Sequence, residues 1–234
     1  MNDATIKRLN EINRTFYRMT AEDFDESRGQ PWPGWDALLP YLKPPLTVLD
    51  VGCGNGRFGA FLAQKLGTDL VYCGMDSNPV LLERARAALS GLEARLELRD
   101  VIENPPDGGE YDLVALFGVL HHVPGNRQRR EFIRTLAQRV ALGGYLAFAA
   151  WRFYDFARFR ERIIPWPDDL DVEQGDYLLD WRRGVRALRY CHYVGDAEHS
   201  ELIAATGLTE IITYRADGRT NDLNRYSLLR RDPA

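Results

Sequence analysis

The sequence predicts an α/β fold: a doubly wound, mostly parallel sheet with a small inserted lobe. Three observations predict it. From Leu46 onward, short apolar runs suited to buried strands alternate with amphipathic stretches of helical length. A glycine-rich turn follows the first of those runs. An aspartate stands at the end of each of the first three: Asp50, Asp76 and Asp100.

Taken in order, Ile6, Leu9, Ile12, Phe16 and Met19 recur at helical spacing, so the chain opens with an amphipathic helix. ESRGQPWPGW follows, and its prolines and glycines make it a loop. A short helix is expected over 35–42, stopped by Pro44 and Pro45. LTVLDV then reads as a buried strand, RFGAFLAQKL as a helix and LVYCGMD as a second strand. NPVLLERARAALS is a helix with Asn78 near its start and Pro79 in its first turn. RLELRD and EYDLVALFG are the third and fourth strands, RQRREFIRTLAQRV a helix, and GGYLAFAAW the fifth strand. Strands separated by helices imply right-handed crossovers and a sheet covered on both faces.

The rhythm breaks after Trp151. Residues 152–195 are rich in aromatics and arginine without a clean period, and are expected to form an inserted lobe. A helix over 196–206, stopped by Gly207, and the strands LTEIITYR and RYSLLRR then close the sheet with an antiparallel edge. The expected organisation is a helical cap and PWP loop (1–45), a core (46–151), the lobe (152–195) and a return to the core (196–234).

Bulk properties narrow the function classes. No apolar run approaches the roughly 20 residues of a membrane span, and the N-terminus lacks a signal-peptide core, so a cytoplasmic protein with no membrane partner is expected. Cys53, Cys73 and Cys191 form no CxxC pair, and no metal site is expected. The formal net charge of -4 gives no overall field toward nucleic acid. Arginines nevertheless cluster at 127, 129, 130 and 134 and at 182, 183, 186 and 189, as solvated helix faces or as local phosphate-binding patches.

VLDVGCGNGRFG carries the chemistry. Gly52, Gly54 and Gly56 allow a tight turn and close ligand approach, and the next helix offers free N–H groups. The spacing is neither G-x-G-x-x-G nor a phosphate-gripping P-loop. A carboxylate at Asp50 suits a cofactor with an ammonium group. Asp76, at a strand end beyond the loop, is placed to accept ribose hydroxyl hydrogens. Asp100 can accept from an adenine amino group. Each aspartate alone could be a helix cap or turn former; three at successive strand ends beside a glycine turn point to a ligand.

This constellation resembles the class I S-adenosylmethionine (SAM) dependent methyltransferases over about 46–151. The resemblance implies SAM as cofactor and a seven-stranded sheet with one antiparallel strand. It implies that Asp50 and the glycine turn hold the methionine end, Asp76 the ribose, and Asp100 with Val101 the adenine. Asn55, Ser77 and Phe117 complete the expected cofactor contacts.

Four further segments narrow the acceptor: FYRMTAEDFDESRGQPWPGW, GVLHHVPGNRQRR, IIPW and RYCHY. In this order they resemble the tRNA methyltransferases that esterify 5-carboxymethyluridine at the wobble position, and their relatives fused to AlkB-type oxygenases. Ser27 and Cys191 depart from the family's usual threonine and tyrosine. RTNDLNRY keeps Asp222 but lacks the family's tryptophan, and the long basic insert of some members is shortened. A carboxylate nucleophile is ionised at neutral pH and needs no general base; it needs donors to hold it. Arg28, His122, Arg189 and His192 are the candidates, each with a structural alternative as surface ion pair or core residue. Trp32, Trp35, Trp151, Trp166, Trp181, Tyr190 and Tyr193 flank the expected acceptor face, as stacking platforms or as the lobe's own core.

Three functions remain open at this stage: a methyltransferase for modified wobble uridine in tRNA, one for a small-molecule acceptor with the lobe as lid, and a non-catalytic SAM-fold binding protein. The tRNA resemblance also implies a possible small zinc-binding activator subunit.

Overall fold

The computed structural model describes residues 1–26, 29–167, 170–182 and 184–233; Ser27, Arg28 and Arg183 lie outside them. Helix α1 (Asp3–Glu26) and a 3-10 helix (Pro33–Tyr41) precede the sheet. There follow β1 (Leu46–Val51), α2 (Arg57–Leu66), β2 (Leu70–Asp76), α3 (Pro79–Ala88) and β3 (Glu93–Leu98). Next come β4 (Tyr111–Phe117), α4 (Asn126–Ala137) and β5 (Val140–Trp151). The intervening segment contains α5 (Ala157–Arg160), β6 (Ile163–Ile164), β7 (Asp176–Trp181) and β8 (Ala187–His192). The chain returns through α6 (Asp196–Thr206), β9 (Thr209–Ala216) and β10 (Asn224–Arg230).

The main sheet has seven strands in the order β3-β2-β1-β4-β5-β10-β9. The first five pair in parallel, while β10 is antiparallel to both β5 and β9. The strand alternation sorts the core into two layers. Val48, Leu113, Ala115 and Ala147 face one layer with Trp35, Phe58 and Tyr226. Leu49, Val114, Leu116 and Phe148 face the other with Phe132, Ile133 and Leu202. Because both faces are covered, the central strands read as unbroken apolar runs. Truncating Phe148, fully buried between sheet and helices, would cost about 3–5 kcal/mol.

Local boundaries follow local chemistry. The Asn78 side chain accepts from the Val80 and Leu81 amides and caps α3, with Pro79 next in line. The expected short helix starts two residues earlier, at Pro33, with 3-10 geometry. The fourth helix stops at Ala137, before the predicted end at Val140, because Val140 pairs with Tyr111 and opens β5. The third strand ends at Leu98, so Asp100 lies in the turn beyond it rather than closing it. There its Oδ1 accepts from the Ile102 and Glu103 amides at 3.1 and 3.3 Å.

The segment without clean period holds a three-stranded antiparallel sheet, β6-β7-β8. The C-terminal half of strand β8 is buried on both faces: Tyr190, Cys191 and His192 are inaccessible, while Leu188 nearer its start is exposed. One reason is α1, whose Asn13 Oδ1 accepts from the Tyr190 amide at 3.0 Å and whose Phe16 meets Trp181 edge-on. A strand covered twice shows no alternation, which is why its period is hidden in the sequence.

Candidate functional site

The glycine turn is pinned before it reaches any ligand. Gly52 and Cys53 donate to the Met75 carbonyl at 2.8 and 2.9 Å, drawing the turn onto β2. Gly54 has φ +55° and donates to Asp76 Oδ2 at 2.9 Å. A Cβ on Gly54 would meet nothing within 4 Å, so this position faces open cavity. Gly56 differs: a Cβ there would meet Ala85 Cα at 3.1 Å, so Gly56 seats the start of α2 against α3 and does not line the cavity.

Asp50, Gly52, Asn55, Asp76, Ser77 and Asp100 line this cavity, with Val101 and Phe117. Asp50 is buried and accepts from the Tyr72 hydroxyl at 2.5 Å. Burial pushes its carboxyl up to about 7, against the Tyr72 hydrogen bond. A bound ammonium would restore the ionised form. Asp76 accepts from the Gly54 and Asn78 amides at 2.9 and 2.8 Å, which leaves lone pairs on both oxygens for ribose hydroxyls. Burial raises its pKa too, against the hydrogen bonds from Asn78 and Gly54. Acceptors for an ammonium and a diol, with a side-chain-free turn between them, fit SAM.

Helix α1 roofs the cavity with Asn10, Asn13, Arg14 and Tyr17. Arg14 lies 2.8 Å from Glu103 and 3.4 Å from Asp100, so the expected adenine acceptor already has a cation beside it. These four residues recur at helical spacing, a polar stripe next to the apolar one. The apolar stripe of α1 signals its packing face, and the polar stripe beside it carries no motif that marks Asn10, Asn13, Arg14 and Tyr17 as cavity residues. His122 joins this roof: its Nε2 lies 2.7 Å from the Tyr17 hydroxyl, and its Nδ1 lies 3.1 Å from Asn13 Nδ2 and 3.0 Å from the Tyr190 carbonyl.

A second cavity adjoins the first. Trp32, Arg57 and Gly118 line both. Its other walls include His121, Trp151, Trp181, Arg162, Arg189 and Asp217. Arg189 is only 8% exposed. Its guanidinium lies 4.8 Å from the Trp151 ring centre, 5.2 Å from Phe16 and 6.0 Å from Trp181. Its Nε has no hydrogen-bond partner among the described residues. The carboxylates of the wall are taken. Asp180 pairs with Arg182 at 2.7 Å. Asp217, at φ +69°, accepts from the Gly34 amide, Asn224 Nδ2 and the Tyr226 hydroxyl.

The other candidates are placed elsewhere. His192 lines neither cavity. Its Nδ1 and Nε2 lie 2.7 Å from Asp176 and 2.7 Å from Glu198. Tyr190 and His192 do share a face of β8, but both reach Asp176, so that face is a buried polar network rather than a pocket wall. Against the lowering effect of burial, the hydrogen bonds to Asp176 and Glu198 raise the His192 pKa. Arg129, expected on a solvated helix face or in a phosphate patch, is 1% exposed and completes the network through Glu198 and Glu173. Trp166 donates to the Asp176 carbonyl at 3.2 Å. Arg28 lies outside the described residues.

The histidine pair gains a neighbour invisible in the sequence. Cys191 Sγ lies within 4.8 Å of ring nitrogens of His121 and His122. Both His122 nitrogens already have polar partners, and burial pushes the thiol up to about 11, against the pull of Arg189. Those environments disfavour the thiolate a metal needs.

Known proteins resemble this chain in sequence and in fold. Residues 49–146 match a family described as a methyltransferase domain. A probable chloroplastic tocopherol O-methyltransferase of Oryza sativa is 33% identical over 59% of this chain and 39% of its own length. The chain thus spans about two-fifths of that relative. A tRNA (carboxymethyluridine(34)-5-O)-methyltransferase of Schizosaccharomyces pombe is 25% identical over 85% of this chain and 89% of its own. A SAM-dependent methyltransferase structure from Methanosarcina mazei superposes with a TM-score of 0.68, at 18% identity, over 88% of this chain and 100% of its own.

Proposed function

We infer that the chain is a class I SAM-dependent methyltransferase related to the enzymes of tRNA wobble uridine, and that it esterifies the carboxylate of a 5-carboxymethylated wobble uridine in tRNA. The observation that carries this reading is Arg189: a buried cation, without a carboxylate partner among the described residues, in a cavity sharing three wall residues with the cofactor cavity. A buried charge is costly unless paired, and an anionic acceptor would supply the pair.

SAM, when bound, supplies a methyl group activated on a sulfonium. Asp50 would hold its ammonium, Asp76 its ribose hydroxyls, and Asp100 with Val101 its adenine. Arg14 ties α1 to the Asp100 turn. Arg189 would hold the acceptor. The task left to the protein is alignment, which can supply much of the acceleration of an in-line displacement.

A second reading, methylation of an uncharged small-molecule acceptor, is favoured by the Tyr17–His122 pair in the cofactor cavity wall. A neutral acceptor must lose a proton, and this pair could receive it. Labelled methyl transfer to tRNA carrying 5-carboxymethyluridine, with unmodified tRNA as control, separates the readings. Label only in the modified tRNA supports the first. No label in either, with SAM bound and with a small zinc-binding activator subunit of the tRNA enzymes added, removes it.

A further inference from the structure

Arg189 is buried with a conspicuous deficit around it. Three aromatic faces surround the guanidinium, and the nearby Cys191 thiol is held neutral by burial. Asp180 and Asp217 are engaged by Arg182 and by three neutral donors. Arg57 and Arg162 add further positive charge to the same wall. Aromatic rings soften the cost of a buried cation but carry no compensating charge.

We propose that this cavity reads the charge of its occupant: it retains an acceptor bearing a carboxymethyl group on a planar ring, and releases the neutral methyl ester that the reaction makes. The inference rests on the carboxylate reading of the acceptor and assigns Arg189 the role of specificity determinant.

In the balanced step a carboxylate oxygen forms the new O–CH3 bond as the S–CH3 bond breaks. The electron pair of the broken bond stays on sulfur, and no proton moves. Carboxylate and sulfonium charges disappear together, so the site's total charge is unchanged. What changes is local: before transfer Arg189 faces an anion, and afterwards a neutral ester. The cation then lacks its partner again, and the product leaves a site that no longer holds it.

The ring contacts also answer a difficulty in such a step. A cation that grips the nucleophile strongly makes it a poorer nucleophile. Trp151, Trp181 and Phe16 share the guanidinium's field, so the hold is sufficient for selection and weaker than a bare ammonium's. Arg189→Lys, a compact charge with fewer donors, should therefore keep acid-over-ester selection and lower the turnover number more than it raises KM.

The test is binding to the S-adenosylhomocysteine complex of two acid–ester pairs: 5-carboxymethyluridine and phenylacetate, each with its methyl ester. The wild-type protein should prefer each acid by about tenfold or more, the scale of one charged hydrogen bond. Arg189→Met should bring acid and ester to near parity. Equal binding of acid and ester by the wild type, or binding of neither acid, overturns the proposal without any variant needing to fold. Selection in the phenylacetate pair alone upholds charge reading and overturns the wobble-uridine reading.

Discussion

Replacing Asp76 with alanine separates the cofactor's hold on the glycine turn from the fold's. The carboxylate accepts from the Gly54 and Asn78 amides, and its spare lone pairs face the cavity expected to take the ribose. A hydrogen bond to a charged group is worth about 1.5–3 kcal/mol. Water entering the vacated space can partner one hydroxyl, so the loss in cofactor affinity should be about that of one bond, roughly 10- to 150-fold in Kd. Titration calorimetry with S-adenosylhomocysteine measures it. Asp112→Ala is the control. Asp112 accepts from the Thr47 amide and hydroxyl at 2.8 and 2.7 Å but does not line the cavity. That variant should lose about 1–3 kcal/mol of stability and bind the cofactor normally. An unchanged Kd in Asp76→Ala, or an equal loss in both variants, would refute the placement of the cofactor.

Other perturbations follow from the same geometry. Asp50 ionises near 7 when folded because burial dominates, against 3.8 as a free group. Its folded pKa is raised, so its contribution to stability is full below about 4 and declines as pH rises toward 7. Cofactor-free protein should therefore lose thermal stability from pH 6 to 8 relative to Asp50→Asn, and S-adenosylhomocysteine, whose ammonium pairs with the ionised carboxylate, should bind more tightly as pH rises across that range, as calorimetry would register. Glu198 is the opposite case: burial opposes the shift, but His192 and Arg129 hold it down to about 2 from 4.5. Its stabilisation is present above about 4.5 and fades as pH falls toward 2. Glu198→Gln should cost about 3–5 kcal/mol, the scale of a broken buried pair, visible in urea melts at neutral pH, with cofactor affinity intact. Gly54→Ala should weaken the cofactor, since its new methyl enters the cavity at a positive φ. Gly56→Ala should chiefly lower the melting temperature, through the Ala85 contact.

The sequence was legible where chemistry is local to the chain. The glycine turn, Asp50 and Asp76 sit within one strand–turn–helix unit and the next strand end, so spacing alone brought them together. The two-layer core was legible because β1, β4 and β5 carry unbroken apolar runs. Legibility failed where distant segments meet. Strand β8 hides its period because α1 covers one of its faces. Arg129 looks like one arginine of a surface run, yet it is buried by carboxylates 44 and 69 residues away. His192 shares a motif with Arg189 but serves the network behind the cavity. The stripe of Asn10, Asn13, Arg14 and Tyr17 was readable only as the polar half of an amphipathic helix; that it lines a cavity was not. Asp217 in a left-handed conformation had no signal in the sequence; its three donors are fixed only by the closed sheet.

The most direct test of carboxylate methylation asks what bond holds the transferred methyl group. The protein would be incubated with methyl-labelled SAM and tRNA carrying 5-carboxymethyluridine, and the recovered RNA treated with mild alkali. A methyl ester hydrolyses, so the account predicts that the label leaves as volatile methanol and that Arg189→Met transfers little label to release. Label that survives alkali, as an ether, amine or carbon-bound methyl would, contradicts it.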